Sequence, residues 1–289
     1  MRPETAQAIF VNFKNIVDSF HPKLPFGIAQ IGKSFRNEIT LGNFIFRDLE
    51  FEQMEIEYFI RESDWKMVFE EWKSKMENWL IGLGVSKLKL RWREHSKEEL
   101  SHYSKRTEDL EYDFPWGYKE LYGLAYRTDY DLKTHAQKSG KDLRYQNLET
   151  SEKFFPHVVE PSMGVERSLI TILLNAYKEE KGRIVLSLNP KLSPYKVAVF
   201  PLLANKLELV RVARKMYESL KSHFMTVGDE RGNIGQRYYA QDEIGTPWCV
   251  TVDYQSLEDE TVTVRDRDTK RQERAAISQL ENYFKEKLT

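Results

Sequence analysis

The chain has 289 residues (34.3 kDa), and its 44 Lys and Arg almost cancel its 45 Asp and Glu, so any nucleic-acid partner has to be met by local basic patches. A single cysteine, Cys249, excludes an intrachain disulfide and fits a reducing compartment. No apolar run is long enough to span a membrane, the first residues do not read as a signal peptide, and the histidines show no zinc-ligand spacing; a cytoplasmic chain without membrane or zinc is expected.

In chain order, Phe26 to Glu38 alternates as a strand that puts Arg36 and Glu38 on one face. After a loop, Arg47 leads into a second strand, Phe51 to Tyr58. There Met54, Ile56 and Tyr58 form a core face, while Phe51, Gln53, Glu55 and Glu57 point the other way. Antiparallel pairing would bring Arg36 and Glu38 near Phe51 and Glu55. Arginine forks match phosphate oxygens two at a time, and an open phenyl ring beside a guanidinium suits a stacked purine. The alternative is a solvated strand face with cross-strand ion pairs.

Next comes a helix, Ser63 to Leu80, with Trp65, Phe69, Trp72, Met76 and Trp79 at core spacing. Lys87 to Glu94 reads as a strand with a basic face, solvated or touching RNA. Glu160-Pro161-Ser162-Met163-Gly164-Val165-Glu166-Arg167 then opens an apolar helix that reads as buried nearly all round and runs to about Lys181-Gly182-Arg183. Arg167 in its first turn opposes the helix dipole, so it either shares an anion with that N-terminus or pairs with Glu160 or Glu166. Asn189-Pro190 and Ser193-Pro194 mark a linker. Beyond it, strands at Lys196 to Phe200, His223 to Val227, Trp248 to Asp253 and Val262 to Arg267 alternate with helices near Leu203 to Ser222, Ile234 to Asp242 and Gln272 to Phe284, a small α/β domain. Cys249 reads as core filler of that domain.

Two of these segments resemble the second and third motifs of class II aminoacyl-tRNA synthetases. Phe35, Arg36, Glu38, Arg47, Phe51 and Glu55 fit Phe-Arg-x-Glu, loop, Arg-x3-Phe-x3-Glu, and Gly164 with Arg167 fits Gly-x-x-Arg. Arg2-Pro3-Glu4-Thr5-Ala6-Gln7, Glu52-Gln53-Met54-Glu55, Glu160-Pro161-Ser162 and Asp242-Glu243-Ile244-Gly245-Thr246-Pro247 narrow the likeness to the dimeric glycyl-tRNA synthetases.

That resemblance implies an α+β fold: a class II antiparallel sheet with helices over residues 1–184, then an α/β anticodon-binding domain over 185–289. It implies a glycine–tRNA ligase that uses ATP and Mg2+, with glycine and tRNA(Gly) as partners and a homodimer as the family's assembly. Arg36 and Arg167 would be catalytic. ATP would meet Arg36, Asn37, Glu38, Phe46, Arg47, Asp48, Leu49, Phe51, Glu120, Leu121, Arg127, Gly164 and Arg167, with Glu120 helping to carry the metal. Glycine would meet Glu4, Gln53, Glu55, Glu160 and Ser162. Arg237, Glu243, Arg265 and Asp268 are the candidate tRNA contacts. Members of this group carry a first motif ahead of Arg-Pro-Glu-Thr, so a core lacking that dimer platform is expected here, as a truncated gene, a fragment or half of a split enzyme. A noncatalytic nucleic-acid-binding paralogue and an amino-acid ligase unrelated to tRNA are the alternatives.

Overall fold

The computed structural model describes residues 1–180 and 182–288, arranged as two compact units, Met1–Thr171 and Ile172–Thr289. In the first unit, α1 (Ala6–Phe20), β1 (Phe26–Phe35), β2 (Glu50–Ile60), α2 (Trp65–Gly82), β3 (Leu90–Glu94), β4 (Arg106–Phe114), β5 (Gly117–Thr128), α3 (Tyr130–Ser139), the short pair β6 (Tyr145–Gln146) and β7 (Lys153–Phe154), and β8 (His157–Gly164) precede α4 (Val165–Ala176). The six long strands form one antiparallel sheet in the order β1-β2-β8-β5-β4-β3.

Register explains which side chains meet. Phe59 stands opposite Val158, Glu55 opposite Ser162 and Gln53 opposite Gly164, so these residues share one face. At its far end that face carries an apolar core in which Phe59 and Val158 pack with Ala6, Phe10 and Phe13 of α1 and Leu132 of α3. The buried positions of α1, Ala6, Ile9, Phe10 and Phe13, fall at helical spacing, an amphipathic stripe that the reading of the sequence passed over. The opposite face takes α2, where Trp65 stacks on Tyr126 at 4.4 Å and Trp72 meets Tyr58 edge-on.

The alternation expected in β2 is present with its sense reversed. Gln53, Glu55 and Glu57 are buried, whereas Met54, Ile56 and Tyr58 are only half-buried. Glu55 can face inward because Thr5 and Ala6, at the start of α1, supply donors to it. Three boundaries also differ. β1 stops at Phe35, with the Arg36 N–H to the Leu49 carbonyl (3.0 Å) prolonging its register with β2 by one residue. Lys87–Lys89 is a single 3-10 turn before β3. α4 ends at Ala176, and Tyr177–Glu180 (β9) pairs with Arg183–Leu186 (β10) as a hairpin; Lys181, where the helix was expected to end, lies outside the described residues. Nor is α4 buried all round: Leu169 and Leu173 are exposed, since a helix laid against a sheet covers one stripe only.

The second unit adds β11 (Val197–Pro201), α5 (Leu207–Leu220), β12 (Thr226–Gly228), α6 (Ile234–Ile244), β13 (Trp248–Val252), α7 (Tyr254–Asp259), β14 (Thr261–Asp266), β15 (Gln272–Ala276) and α8 (Leu280–Leu288). Its mixed sheet runs β12-β11-β13-β14-β15, parallel through the first three strands and antiparallel after them. Gln272 onward begins as an edge strand, not as the expected helix; Ala275 packs against the core and the helix starts only at Leu280. Cys249 is buried between Ala198 and Phe200, as core filler would be.

Candidate active site

A cleft opens on the polar face of the first unit's sheet. Arg36, Glu38, Ile45, Phe46, Arg47, Asp48, Phe51, Gln53, Glu120, Leu121, Ser162, Gly164, Glu166 and Arg167 line it. The Arg36 guanidinium lies 5.1 Å from the centre of the Phe51 ring and its Nε donates to the Pro3 carbonyl at 3.1 Å, which leaves the rest of the fork toward the cleft. Arg167 comes from the first turn of α4, sits 4.6 Å over the Phe46 ring and donates to the carbonyls of Phe46 (3.3 Å) and Glu120 (3.0 Å). Its charge partner is Glu120, at 3.3 Å and half exposed, and neither Glu160 nor Glu166. Glu166 instead accepts the Glu52 N–H with both oxygens, at 3.0 Å each, and so ties α4 to β2. Arg47 is exposed, 4.0 Å from Glu38. Asn37 and Leu49 are exposed and stand outside the cleft lining; Leu49 contributes only the carbonyl that holds the Arg36 backbone.

Deeper along the same strands the cleft gives way to a buried polar network. Glu55 Oε2 accepts the N–H groups of Thr5 (2.7 Å) and Ala6 (2.8 Å) and the Thr5 hydroxyl, while Oε1 accepts from Gln53 (2.7 Å) and Ser162 (3.1 Å). No side chain of its own caps α1, so a carboxylate from β2 does it. Glu55 is therefore saturated by the protein, and the expectation that it faces an amino group gives way to a role in holding Gln53 and Ser162. Arg127, expected at the triphosphate, is instead buried beside this network. It makes a two-pronged pair with Asp131 (2.8 and 2.9 Å), donates to Glu160 (2.8 Å) and lies 4.0 Å over the Tyr103 ring. Strand alternation forces this, since Arg127 shares the inward face with Ala125, which stands opposite Glu160. Burial, opposed by Arg127 and reinforced by Glu55, raises the Glu160 carboxyl to about 7. Glu4 is half-buried, with Gln7 at 3.2 Å. Gly123, opposite Ser162, leaves open space where a Cβ would project.

Comparison with known proteins fixes the family. Residues 1–176 match the family profile described as tRNA synthetase class II core domain (G, H, P, S and T). The chain belongs to that class II synthetase family. Residues 196–287 match a second profile, the anticodon binding domain. Among curated relatives, a protein named glycine–tRNA ligase from Geobacillus kaustophilus is 52% identical over 293 residues, covering 100% of this chain and 63% of the relative. The same-named protein of Geobacillus thermodenitrificans is 52% identical (100% and 62%), and that of Thermobifida fusca 51% identical (100% and 65%). The chain thus spans less than two thirds of the length of these relatives.

As a class II core, the first unit gathers Arg36, Phe46, Phe51, Glu120 and Arg167 in one cleft and sets Gln53 and Ser162 on its inner wall. The residues that sequence reasoning missed are Thr5, Asp131, Tyr103, Gly123 and the buried partner role of Arg127. Only Thr5 had a signal, because it stands within the Arg-Pro-Glu-Thr run.

In the anticodon-binding domain two candidate RNA contacts are corrected. Arg237 is buried and donates to the carbonyls of Pro201, Arg231 and Gly232. Arg265 is buried in a bidentate pair with Asp242, at 2.9 and 3.0 Å. Both guanidiniums are consumed inside the unit because the strand and helix that carry them face its core. Asp268 is exposed and accepts from Ser187 (2.6 Å) and Arg267 (2.8 Å), and Glu243 is exposed as well.

Proposed function

We propose that this chain carries the aminoacylation chemistry of a glycine–tRNA ligase: it activates glycine with ATP to glycyl-adenylate and pyrophosphate, then passes the glycyl group to tRNA(Gly). The observation behind this reading is the convergence of Arg36, Phe51 and Arg167 on one cleft whose inner wall continues into the Gln53, Ser162 and Glu160 network. The names and identities of the relatives support the choice of glycine.

Adenine stacks on Phe51 on the side opposite Arg36, and Arg36 takes the α-phosphate. Arg167 and Arg47 hold the outer phosphates. The glycine carboxylate attacks the α-phosphorus and pyrophosphate leaves, so no side chain need abstract a proton; the chain's task is alignment and neutralisation of charge developing at phosphorus. Glu120 fits Mg2+, being a half-exposed carboxylate at the cleft mouth, and with the phosphates it would hold an ion that supplies further positive charge there. Glu160 and Glu4 attract the ammonium, and Ser162, held by Glu55 and Gln53, orients it. Selectivity comes from steric exclusion: a pocket that fits two carbons meets any larger side chain by overlap. The second unit's fold suits it to guide tRNA, and the cytoplasm is its place of work.

Glycine-dependent exchange between ATP and pyrophosphate tests the reading with the purified chain. Exchange is expected with glycine and not with alanine. Tight tRNA binding with no exchange at saturating ATP and glycine would reject ligase chemistry in favour of a nucleic-acid-binding role.

A further inference from the structure

One group in the first unit is left unexplained by this chemistry. Glu57 lies on β2, two residues beyond Glu55 on the same inward face, and is fully buried. No N–H or O–H among the described residues reaches either of its carboxyl oxygens. The residue across from it is another acid: the register of β2 with β8, Glu55 opposite Ser162 and Tyr58 opposite Val159, sets Glu160 opposite Glu57. Two ionised carboxylates side by side in the interior would repel at low effective dielectric, with no donor to satisfy Glu57.

The surroundings decide how the pair is charged. Facing Glu57 are Glu160 of β8, Arg127 of β5 and Glu55 of β2 itself, while β1 contributes the uncharged Ile28 opposite it in register. Asp131 of α3 pairs with Arg127, and Glu4 lies close enough to act on Glu160. Arg127 is the one cation of the group, and Asp131 already takes two of its N–H groups. It can satisfy one more carboxylate, Glu160, and does so through Nη1 at 2.8 Å. Its remaining N–H groups do not reach Glu57, whose carboxyl oxygens meet no donor among the described residues.

We propose that Glu57 and Glu160 share one proton behind the amino-acid pocket, Glu57 carrying it and donating to Glu160, and that an arriving ammonium group expels it. This deepens the glycine reading and rests on it for the ligand. The reaction is a proton loss to solvent; no other bond changes. Before binding, the pair has one negative charge, on the carboxylate that Arg127 hydrogen-bonds. Afterwards it has two, the second matched to the ammonium, so the pocket is never left with an uncompensated pair of carboxylates. Burial, then Glu160, pushes the Glu57 carboxyl well above the ordinary carboxylate range, in agreement with this assignment. Glu57 is thus a positioning residue that acts on the amino group through Glu160.

Two measurements on the full chain test it. The first needs no ligand: with glutamate carbons labelled, carboxyl resonances are followed against pH in wild type, Glu57→Gln and Glu160→Gln. Two coupled carboxyls are expected to titrate well above the others, the upper step near neutrality, and Glu57→Gln should remove one and move Glu160 down. Full ionisation of every glutamate by about pH 5.5 in the wild type overturns the shared proton. The second is calorimetry of glycine binding near pH 7 in buffers of different ionisation enthalpy. Proton release is expected in wild type and not in Glu57→Gln, with wild-type affinity rising about tenfold from roughly pH 6 to pH 8. Glycine binding with no proton exchanged overturns the coupling. A pair that titrates as expected in a chain that binds no glycine at any pH overturns the ammonium step together with the glycine reading, while leaving the shared proton established.

Discussion

Replacing Glu55 by Gln keeps the shape of the side chain, removes its charge and, with the amide oxygen kept toward Thr5 and Ala6, turns the acceptor that faces Gln53 and Ser162 into a donor. In the native state Oε2 accepts from Thr5 N, Thr5 Oγ1 and Ala6 N, at a helix start that lacks any cap of its own. A hydrogen bond to an ionised acceptor contributes about 1.5–3 kcal/mol and a neutral one about 0.5–1.5, so loss of charge costs about 1 kcal/mol at each of the three donors, about 3 in all. The interaction with the helix dipole, up to about 2 kcal/mol in a partly buried setting, is contained in that figure and is not added to it. The unit can be watched selectively, because Trp65, Trp72, Trp79, Trp92 and Trp116 all lie in it and only Trp248 lies in the other. Urea unfolding followed by tryptophan fluorescence should show the Glu55→Gln midpoint lowered by about 1–2 M, taking a slope of about 2 kcal/mol per M. A shift equivalent to under about 0.5 kcal/mol would refute the argument that a strand carboxylate caps α1.

Four other outcomes are expected. Arg167→Ala should reduce exchange by about two to three orders of magnitude with ordinary urea stability, since its bonds are to carbonyls at the cleft and the chemistry depends on its charge; a loss under tenfold would displace it from the phosphates. Gly123→Ala should fold normally, because its Cβ meets nothing within 4 Å, yet raise the glycine KM at least tenfold; unchanged kinetics would move the amino-acid pocket elsewhere. The Glu57 and Glu160 carboxyls lie above their ordinary value of 4.5 in the folded chain, Glu160 at about 7, so the stability they contribute is complete below 4.5 and is lost as pH rises through their raised folded values; the urea midpoint of the first unit should fall from roughly pH 5.5 to pH 8, and Glu57→Gln should flatten that fall. Cys249, fully buried and pushed up to about 12 by that burial, should resist thiol reagents until the second unit unfolds, and rapid labelling of the folded chain would contradict its place in the core.

How legible this was in the sequence depends on whether a residue's role is local. Arg36, Phe51 and Arg167 were found because a motif fixes both residue type and spacing, and the register of β1, β2 and β8 then brings them together. Period alone also gave the alternation of β2. It did not give the sense of that alternation, because acidic residues read as solvent-facing unless a donor is known to lie above them, and the donors come from Thr5 and Ala6, about fifty positions away. Arg127, Arg237 and Arg265 failed for the same reason. An arginine in a polar stretch reads as a ligand for phosphate or RNA, while its actual partners, Asp131, the Pro201 carbonyl and Asp242, are set by tertiary packing. The edge strand from Gln272 was missed because its charged residues suit an exposed helix equally well.

The inward face of β2 and β8 shows how one sheet can serve both stability and chemistry. Phe59 and Val158 belong to an apolar core; two residues along stand Glu57 and Glu160, then Glu55 and Ser162, then Gln53 and Gly164, and last Phe51 at the open cleft. At about 3.4 Å per residue this passage from dry core to open cleft covers roughly 27 Å on rigid backbone. Among the acids in its middle, Glu55 holds the start of α1, while Glu160, in a buried ion set with Arg127, contributes little to folding compared with well-packed apolar side chains. Their presence there makes sense as preparation for a cation that arrives later, with Arg127 and a retained proton keeping the empty pocket near balance until it does. A sheet face built only to be stable would have continued the pattern of Phe59 and Val158.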